Sequence, residues 1–356
     1  MPAQIQLQKQ PFRKLPDGQE ALLYTLTNAN GLSVKITEFG ATIVAINTPD
    51  AAGQIDDILL GYDNLDGYLN DQVYFGVTAG RYANRIKDAN FSINSKNCQL
   101  ARNHGKNHLH GGNKGFNKRL FKSEPFTDND SAGVKLSYLS PAGEENYPGN
   151  LVTTVVCSVN NQNQLTADFY AATDQTTIVN LTHHCYFNLL GPDKADILDH
   201  ELQINADHFT TIDDELIPTG EIRPVKDSPL DFTKPAKIGK RINEDCDQLK
   251  FAKGYDHNFV LNGKAGELKH AATLHEPNTG RVMQIQSTEP GIQFYSGNFL
   301  DGTIKGKHKR PYQHRTGLCL ELQHFPDSPN HPNFPTTILT PGQTYRQTTI
   351  YTFSTR

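Results

Sequence analysis

The sequence predicts an all-β protein that folds as one large antiparallel β-sandwich. Apolar and polar residues alternate in several short runs, as they do when one face of a strand is buried. The chain also contains 28 glycines and 20 prolines, scattered between these runs in the way that is typical of many short strands joined by turns. No stretch of a dozen residues has convincing helical periodicity, so we expect few helices.

The individual elements follow from these runs. A turn-like stretch at 28–31 precedes the first clear strand, and the breaker Pro290-Gly291 separates two later ones. The region 235–250 could form a short helix. Strands are expected at 32–36, 151–159, 165–169, 284–286, 292–295 and 344–353. Because no internal repeat or linker-like change of composition divides the chain, we expect residues 1–356 to form a single domain.

The charge of the chain argues against nucleic-acid and membrane partners. Its 34 Lys and Arg against 38 Asp and Glu give a formal net charge of −4. That balance supplies no sequence-independent attraction to phosphate or to anionic lipid. The basic segment KGKHKR at 305–310 is interpreted as a solvated loop.

Cysteine usage and the N-terminal segment indicate a reducing, cytoplasmic setting. The five cysteines lie far apart and contain no C-x-x-C pair, so a disulfide framework or a thiolate zinc site is not expected. They are Cys98, Cys157, Cys185, Cys246 and Cys319. The N-terminal segment lacks the apolar stretch of a secretory signal, and no later segment is apolar enough for a membrane span.

Two polar clusters in the first third of the chain could carry chemistry. In GRYANRI at 80–86, Arg81, Asn84 and Arg85 offer donors for sugar hydroxyls or for a developing oxyanion, although surface salt bridges would also explain them. In NHGKNHLHGG at 103–112, the pair His108 and His110 has metal-ligand spacing. However, no Glu or Cys follows nearby, and two glycines end the strand at once. A loop whose backbone approaches a ligand is the alternative.

Two later clusters contain titratable groups in apolar surroundings. As a continuous strand, 178–187 would place His184 on a polar face with Asn180, Thr182 and Tyr186, and His183 on the apolar face. A structural histidine is the alternative for either. In the strand-like run 317–323, Glu321 is a single carboxylate among leucines, which is costly unless the group is paired or functional. Pairing with an arginine is the alternative there.

Six motifs together resemble the aldose 1-epimerase (galactose mutarotase) family over nearly the whole chain. They are, in family order, GRYANRI at 80–86, NHLHGG at 107–112, NLTHHCYFNL at 180–189, GYDHNF at 254–259, PGIQFYSGNFLDG at 290–302 and LELQHFPDSPNHPNFP at 320–335. Each motif alone is a modest signal, but all six in order are specific. The resemblance implies a large antiparallel β-sandwich and a mutarotase that converts the α and β anomers of free hexoses such as galactose and glucose.

The resemblance also implies which residues act. It assigns the general base to Glu321 and the general acid to His184, with neither a metal nor another cofactor. It assigns sugar contacts to Asn84, Arg85, His110, Asp256 and Gln293. One departure stands out, because the residue before the acid is usually Asn in the family and is His183 here. The assignment between these two adjacent histidines therefore needs testing.

The implied chemistry requires one group to take a proton from the anomeric hydroxyl and another to protonate the ring oxygen. We expect an ionised Glu321 to favour the imidazolium form of His184 and to raise its pKa. Three rivals are a relative that acts on phosphorylated hexoses, a sugar sensor, and a metal-dependent isomerase built on His108 and His110. The preferred hexose, the pathway, and the choice between monomer and homodimer stay open.

Overall fold

The computed structural model describes residues 5–128, 130–264 and 266–356. In chain order the first strands are β1 (Gln6–Lys14), β2 (Glu20–Thr27), β3 (Ser33–Thr37), β4 (Thr42–Pro49), β5 (Ile55–Asp57), β6 (Thr78–Ala79), β7 (Arg85–Ile86), β8 (Asn90–Ile93), β9 (Lys96–Gln99), β10 (His108–Leu109), β11 (Lys122–Thr127), β12 (Ser131–Ser140), β13 (Leu151–Asn160) and β14 (Gln164–Thr173). The later strands are β15 (Thr177–Ile178), β16 (Thr182–His183), β17 (Tyr186–Phe187), β18 (Glu201–Ile204), β19 (His208–Ile212), β20 (Pro218–Pro224), β21 (Ala236–Lys237), β22 (Asp256–Val260), β23 (Lys269–His275), β24 (Arg281–Ser287), β25 (Gly291–Tyr295), β26 (Leu318–Gln323), β27 (Ile338–Leu339) and β28 (Tyr345–Thr355).

Helices are short. The two α-helices are α1 (Leu65–Asn70) and α2 (Asp247–Ala252) in the described residues, and 3₁₀ turns lie at Lys87–Ala89, Phe116–Lys118, Glu144–Asn146, Ile238–Lys240, Lys307–Lys309 and Ser328–Asn330. Neither α-helix has the length and apolar character needed to cross a bilayer.

Three sheets make up most of the fold. The largest has nine strands in the order β11-β12-β13-β14-β28-β24-β23-β18-β21, the second has six in the order β17-β26-β25-β22-β19-β20, and the third is β1-β2-β3-β4-β5. Neighbouring strands in all three are antiparallel. One continuous core contains inward-facing side chains from each sheet, such as Val34, Phe169 and Leu320. The predicted antiparallel β-sandwich is confirmed.

The strands predicted from alternation are present. They correspond to β3, β13, β14, β24, β25 and β28, and the helical region near 235–250 contains one 3₁₀ turn and the start of α2. The segment 178–187 is not the continuous strand that its alternation suggested. It forms β15, β16 and β17, because these three pieces pair with different partners, β27, β6 and β26 respectively.

The interpretation of 305–310 as a solvated loop is wrong for Lys307. This side chain is buried, and its Nζ donates to the carbonyls of Val44 at 2.7 Å and Leu59 at 2.9 Å. Its third partner is Asp57, whose Oδ2 lies 2.5 Å away. All three ammonium donors are thus satisfied. The contact fastens this loop to β4 and β5.

Replacing Lys307 with Met should lower the free energy of unfolding by about 2–3 kcal/mol, because it leaves two carbonyls and the partly buried Asp57 carboxylate without their donor. Lys305→Met is the matched control in the same segment, since Lys305 is exposed, and should change stability by less than about 0.5 kcal/mol. Urea unfolding measures both. Equal stability of the two variants would contradict a structural role for the Lys307 contact.

Candidate active site

The position of Glu321 follows from regular alternation along β26. Leu318, Leu320 and Leu322 point into the main core, so Glu321 points to the opposite face, as predicted from the sequence. Its side chain is 2% exposed. Its Oε2 has no hydrogen-bond partner in the described part of the chain. A buried carboxylate oxygen without a partner is costly, and a ligand hydroxyl would satisfy it.

His184 lies between β16 and β17, where its backbone is fixed from both sides. Its N–H donates to the carbonyl of Val77 at 2.9 Å, and its carbonyl accepts from Gly76 at 2.8 Å. The side chain reaches Glu321, with 3.6 Å between Nε2 and Oε1. A titratable nitrogen and a carboxylate oxygen therefore face each other in a buried setting.

His183 points to the other side of the same segment. Its Nε2 lies 3.2 Å from the carbonyl of Ala41, and its ring packs 4.9 Å from that of Phe169. Although the continuous strand is absent, the two adjacent histidines still point in opposite directions. Only His184 reaches Glu321.

His110 and Asn84 hold each other through two backbone-directed hydrogen bonds. The Asn84 N–H donates to His110 Nδ1 at 3.1 Å, and the His110 N–H donates to the Asn84 carbonyl at 3.0 Å. Because Nδ1 is occupied as an acceptor, the neutral ring carries its proton on Nε2. Burial lowers the pKa of His110 well below its usual value. His110 is therefore a neutral, fixed hydrogen-bond donor.

Arg85 and Asp256 form a charged pair beside this group. Arg85 Nη2 lies 3.7 Å from Asp256 Oδ2, and both side chains are 8% exposed. Gln293 donates from Nε2 to the other carboxylate oxygen of Asp256 at 2.6 Å. Asp256 is thus fixed from two sides and keeps acceptor capacity for a ligand hydroxyl.

These groups surround one cavity of about 260 Å³, slightly below the usual range of about 300–1,000 Å³ for ligand pockets. Six of the seven residues expected at the site line it, namely Glu321, His184, Asn84, Arg85, His110 and Asp256. Gln293 is not among the lining residues. It hydrogen-bonds Asp256, which does line the cavity. Its expected sugar contact stays a prediction, and its amide supports the Asp256 carboxylate.

Sequence reasoning missed much of the cavity wall. The additional lining residues are Gln72, Val73, Tyr74, His104, Leu109, Tyr186, Tyr295, Phe299 and Leu300. The Tyr74 ring lies 4.6 Å from that of His110 and 5.9 Å from that of His184. No spacing signal marks Tyr74, whereas Tyr295 and Phe299 lie inside the matched motif 290–302 and could have been chosen from it.

Other residues of the quoted motifs have structural roles. Arg81 donates to the carbonyls of Ser140, Pro141 and Gly149, each within 2.9 Å, and lies outside the cavity. His108 hydrogen-bonds Tyr147 at 2.6 Å. The predicted alternative of a metal bound by His108 and His110 is therefore wrong, because only His110 lines the cavity.

The cavity disfavours charge on both members of the facing pair. Burial, together with the nearby charge of Asp256, raises the pKa of Glu321 well above its usual value. Burial lowers the pKa of His184 to about 4, and the positive charge of Arg85 acts in the same direction. The expectation of a raised His184 pKa is therefore wrong, because desolvation of the buried ring is the largest effect on it.

One set of buried side chains has donor atoms close enough to suggest a metal. Ligand atoms of His110, His184 and Glu321 all lie within 4.8 Å of one another. However, His110 Nδ1 already accepts from the Asn84 N–H, so Nε2 carries a proton and has no lone pair for a metal. The residues present therefore do not fit a metal ion.

The fold and this site define a class of protein, a β-sandwich with a buried carboxylate–imidazole pair at the base of a small polar pocket. The model of the family "Aldose 1-epimerase" matches residues 22–352. Galactose mutarotase of Bos taurus is 43% identical over 343 residues, which cover 96% of this chain and 97% of that protein. Aldose 1-epimerase of Escherichia coli K12 is 36% identical, with 95% and 96% covered. The chain belongs to the aldose 1-epimerase family.

Solved structures agree with this assignment. An aldose epimerase homologue from C. elegans has a TM-score of 0.86 and 31% identity, and the match covers 94% of this chain and 98% of that one. A galactose 1-epimerase from Lactobacillus acidophilus has a TM-score of 0.87 and 27% identity, with 99% of both chains covered. The similarity therefore extends over the whole sandwich.

Treatment with EDTA should leave activity unchanged, and the purified protein should contain no stoichiometric metal, because His110 presents a proton rather than a lone pair to the pocket. Anomerisation rates before and after dialysis against EDTA, with elemental analysis of the same samples, test this. A loss of activity that one added metal ion restores would contradict the tautomer deduced for His110.

Proposed function

We infer that the protein interconverts the α and β anomers of free hexoses such as D-galactose and D-glucose. The observation that carries the inference is the buried pair of His184 Nε2 and Glu321 Oε1, 3.6 Å apart. Eleven of the fifteen residues that line the pocket lie in the six motifs through which the sequence resembles the family. We further propose that residues 1–356 work as one domain, which the shared core of the three sheets supports.

The spacing of the pair suits the geometry of the reaction. Anomerisation removes the proton from the hydroxyl O1 and protonates the ring oxygen O5, and both oxygens are bonded to the same carbon, C1. The two proton-transfer groups must therefore be close neighbours. A pair 3.6 Å apart can serve both oxygens of one hemiacetal.

We assign the base to Glu321 and the acid to His184. Glu321 and His184 share one proton beyond the one that the neutral imidazole already carries. This shared proton lies on Glu321 in the empty pocket and on His184 when the reaction begins. Arg85 favours the carboxylate form of Glu321, and hydroxyls of the bound sugar replace part of its lost hydration. Glu321 then takes the O1 proton while His184 gives one to O5, and the C1–O5 bond breaks.

The open-chain aldehyde then turns about the C1–C2 bond. On closure O5 attacks the other face of the carbonyl, His184 recovers the proton from O5, and Glu321 returns one to O1. Both groups end as they began, so protons balance without a cofactor. Each positioned transfer is typically worth about 10²- to 10⁴-fold in rate.

His184 suits this exchange better than His110 does. The Nδ1 of His110 accepts a backbone N–H, so its Nε2 proton is fixed in place as a donor. We propose that His110, Asn84, Arg85 and Asp256 hold the sugar hydroxyls through these fixed donors and acceptors. Gln293 supports them by orienting Asp256.

The charges around the pocket favour a free sugar over a phosphorylated one. Arg85 is the single arginine among the described cavity-lining residues, and Asp256 already pairs with it. Arg81 is occupied by backbone carbonyls. A phosphate clamp would need several free guanidinium groups. A sugar sensor does not need a proton-transfer pair, so the joint presence of His184 and Glu321 argues against that class of protein.

Glu321→Gln should lower kcat by on the order of 10²-fold or more and change KM less, because the amide keeps the shape of the side chain but cannot accept the O1 proton. Polarimetry with fresh α-D-galactose measures both constants. Gln162→Glu, a change at an exposed residue outside the cavity lining, controls for handling. A near-normal kcat would rule out Glu321 as the base.

The adjacent histidines give a matched pair of variants. His184→Asn should lose about 10²- to 10⁴-fold in kcat, since it removes the proposed acid. His183→Asn should retain kcat while its melting temperature falls, because the lost ring packs on Phe169 and not against the pocket. A coupled anomer assay and thermal melts test this. The reverse pattern of activities would overturn the assignment of the acid.

The profile of kcat/KM against pH should be bell-shaped, because the pair works with one shared proton. A second proton reaches His184 only near pH 4, where its lowered pKa lies, so activity should persist well below the ordinary histidine value of about 6.5. The alkaline limb marks loss of the shared proton.

Initial rates at pH 7, 6 and 5, corrected for spontaneous mutarotation, test the acid limb. Thermal melts at the same pH values control for unfolding. We expect similar rates across this range. Activity that disappears between pH 7 and pH 6 in folded protein would show that the pKa of His184 is not lowered.

A further inference from the structure

The inner nitrogen of the His184 ring faces a cysteine. Nδ1 lies 3.6 Å from Sγ of Cys319, while Nε2 on the other side of the ring faces Glu321. Cys319 is completely buried and lies two residues before Glu321 on β26, so both side chains emerge from the same face of one strand. One strand therefore contacts both nitrogens of the imidazole.

The thiol keeps its proton at any working pH. Burial, reinforced by the nearby charge of Glu321, raises the pKa of Cys319 well above its usual value. A neutral thiol is a weak acceptor and a weak donor. Unlike a carboxylate at this position, it cannot stabilise a charged imidazole strongly, which agrees with the lowered pKa of His184.

The geometry on both sides of the ring favours a proton on Nδ1. The sulfur of Cys319 lies within reach of Nδ1 as an acceptor, and Nε2 is left to face the carboxyl group of Glu321. With Nδ1 protonated, the lone pair of the neutral ring lies on Nε2 and points to Glu321 Oε1. The protonated carboxyl group of the empty pocket can donate to that lone pair.

We propose that Cys319 is a positioning residue, whose sulfur accepts the Nδ1–H of His184 and holds the ring so that Nε2 alone exchanges a proton with the sugar. The proposal rests on the acid role given to His184 above. It also accounts for the difference between the two histidines of the pocket. A backbone N–H fixes the proton of His110 on Nε2, whereas a buried sulfur keeps that of His184 on Nδ1.

The proposal predicts different effects for two substitutions. Cys319→Ser places an oxygen acceptor near the same position and should keep kcat within about 3-fold. Cys319→Ala removes the acceptor and should lower kcat by roughly 3- to 10-fold, the usual effect of losing one hydrogen bond, with KM little changed. Cys157→Ala is the control, because Cys157 is a completely buried thiol of β13 outside the cavity lining.

Nitrogen-15 NMR of histidine-labelled protein tests the tautomer without reference to turnover. The His184→Asn spectrum identifies the signal. We expect the proton of neutral His184 on Nδ1 in the wild type and in Cys319→Ser, and a mixture of tautomers in Cys319→Ala. Thermal melts of every variant show whether it is folded.

A proton on Nε2 in the wild type would overturn the proposal, since the thiol would then be the donor. So would a Cys319→Ala variant whose kcat and tautomer match those of Cys157→Ala. If instead His184→Asn retained full activity, the acid role would fail, while the NMR result would still report whether Cys319 orients the ring.

Discussion

The register of β26 is the constraint on which the rest of the site depends. Its side chains alternate between the main core, which takes Leu320 and its neighbours at 318 and 322, and the cavity face, which takes Cys319 and Glu321. A shift of one residue would exchange the two sets. The leucines thus fix the position of the carboxylate, since burying them is worth about 1.5–3 kcal/mol each.

A second property of the site is that its charged and titratable groups are buried from solvent. Every charged or titratable group at the pocket base is nearly buried, so each electrostatic interaction is stronger there than in water. The same condition penalises any unpaired charge, which explains why the pKa of Glu321 rises and that of His184 falls. The hydroxyls of a bound sugar replace part of the hydration that these groups lose on burial. The empty pocket therefore resists charge separation, and the occupied one can support it.

Sequence reasoning succeeded where a local rule determines the structure. Period-2 alternation identified the face of Glu321 because β26 is regular and buried. It failed for the continuity of 178–187, because the partners of that segment come from remote parts of the chain. The family motifs identified six residues that line the cavity, and they also pointed to Gln293, which lies outside the lining and donates to Asp256. The burial of Lys307 depends on two distant carbonyls, which no local pattern encodes.

Three cavity residues other than glycine, Tyr74, Asn84 and His110, have left-handed backbones, with φ of 66°, 63° and 48°. Such conformations cost free energy and persist only where the surrounding fold imposes them. The fold therefore fixes these three backbones before any ligand arrives, and their conformational entropy is already lost at folding. Recognition of a small, hydroxylated ligand then requires little induced fit. More of the contact energy is then available to hold the sugar in one orientation, because little of it is spent on ordering these residues.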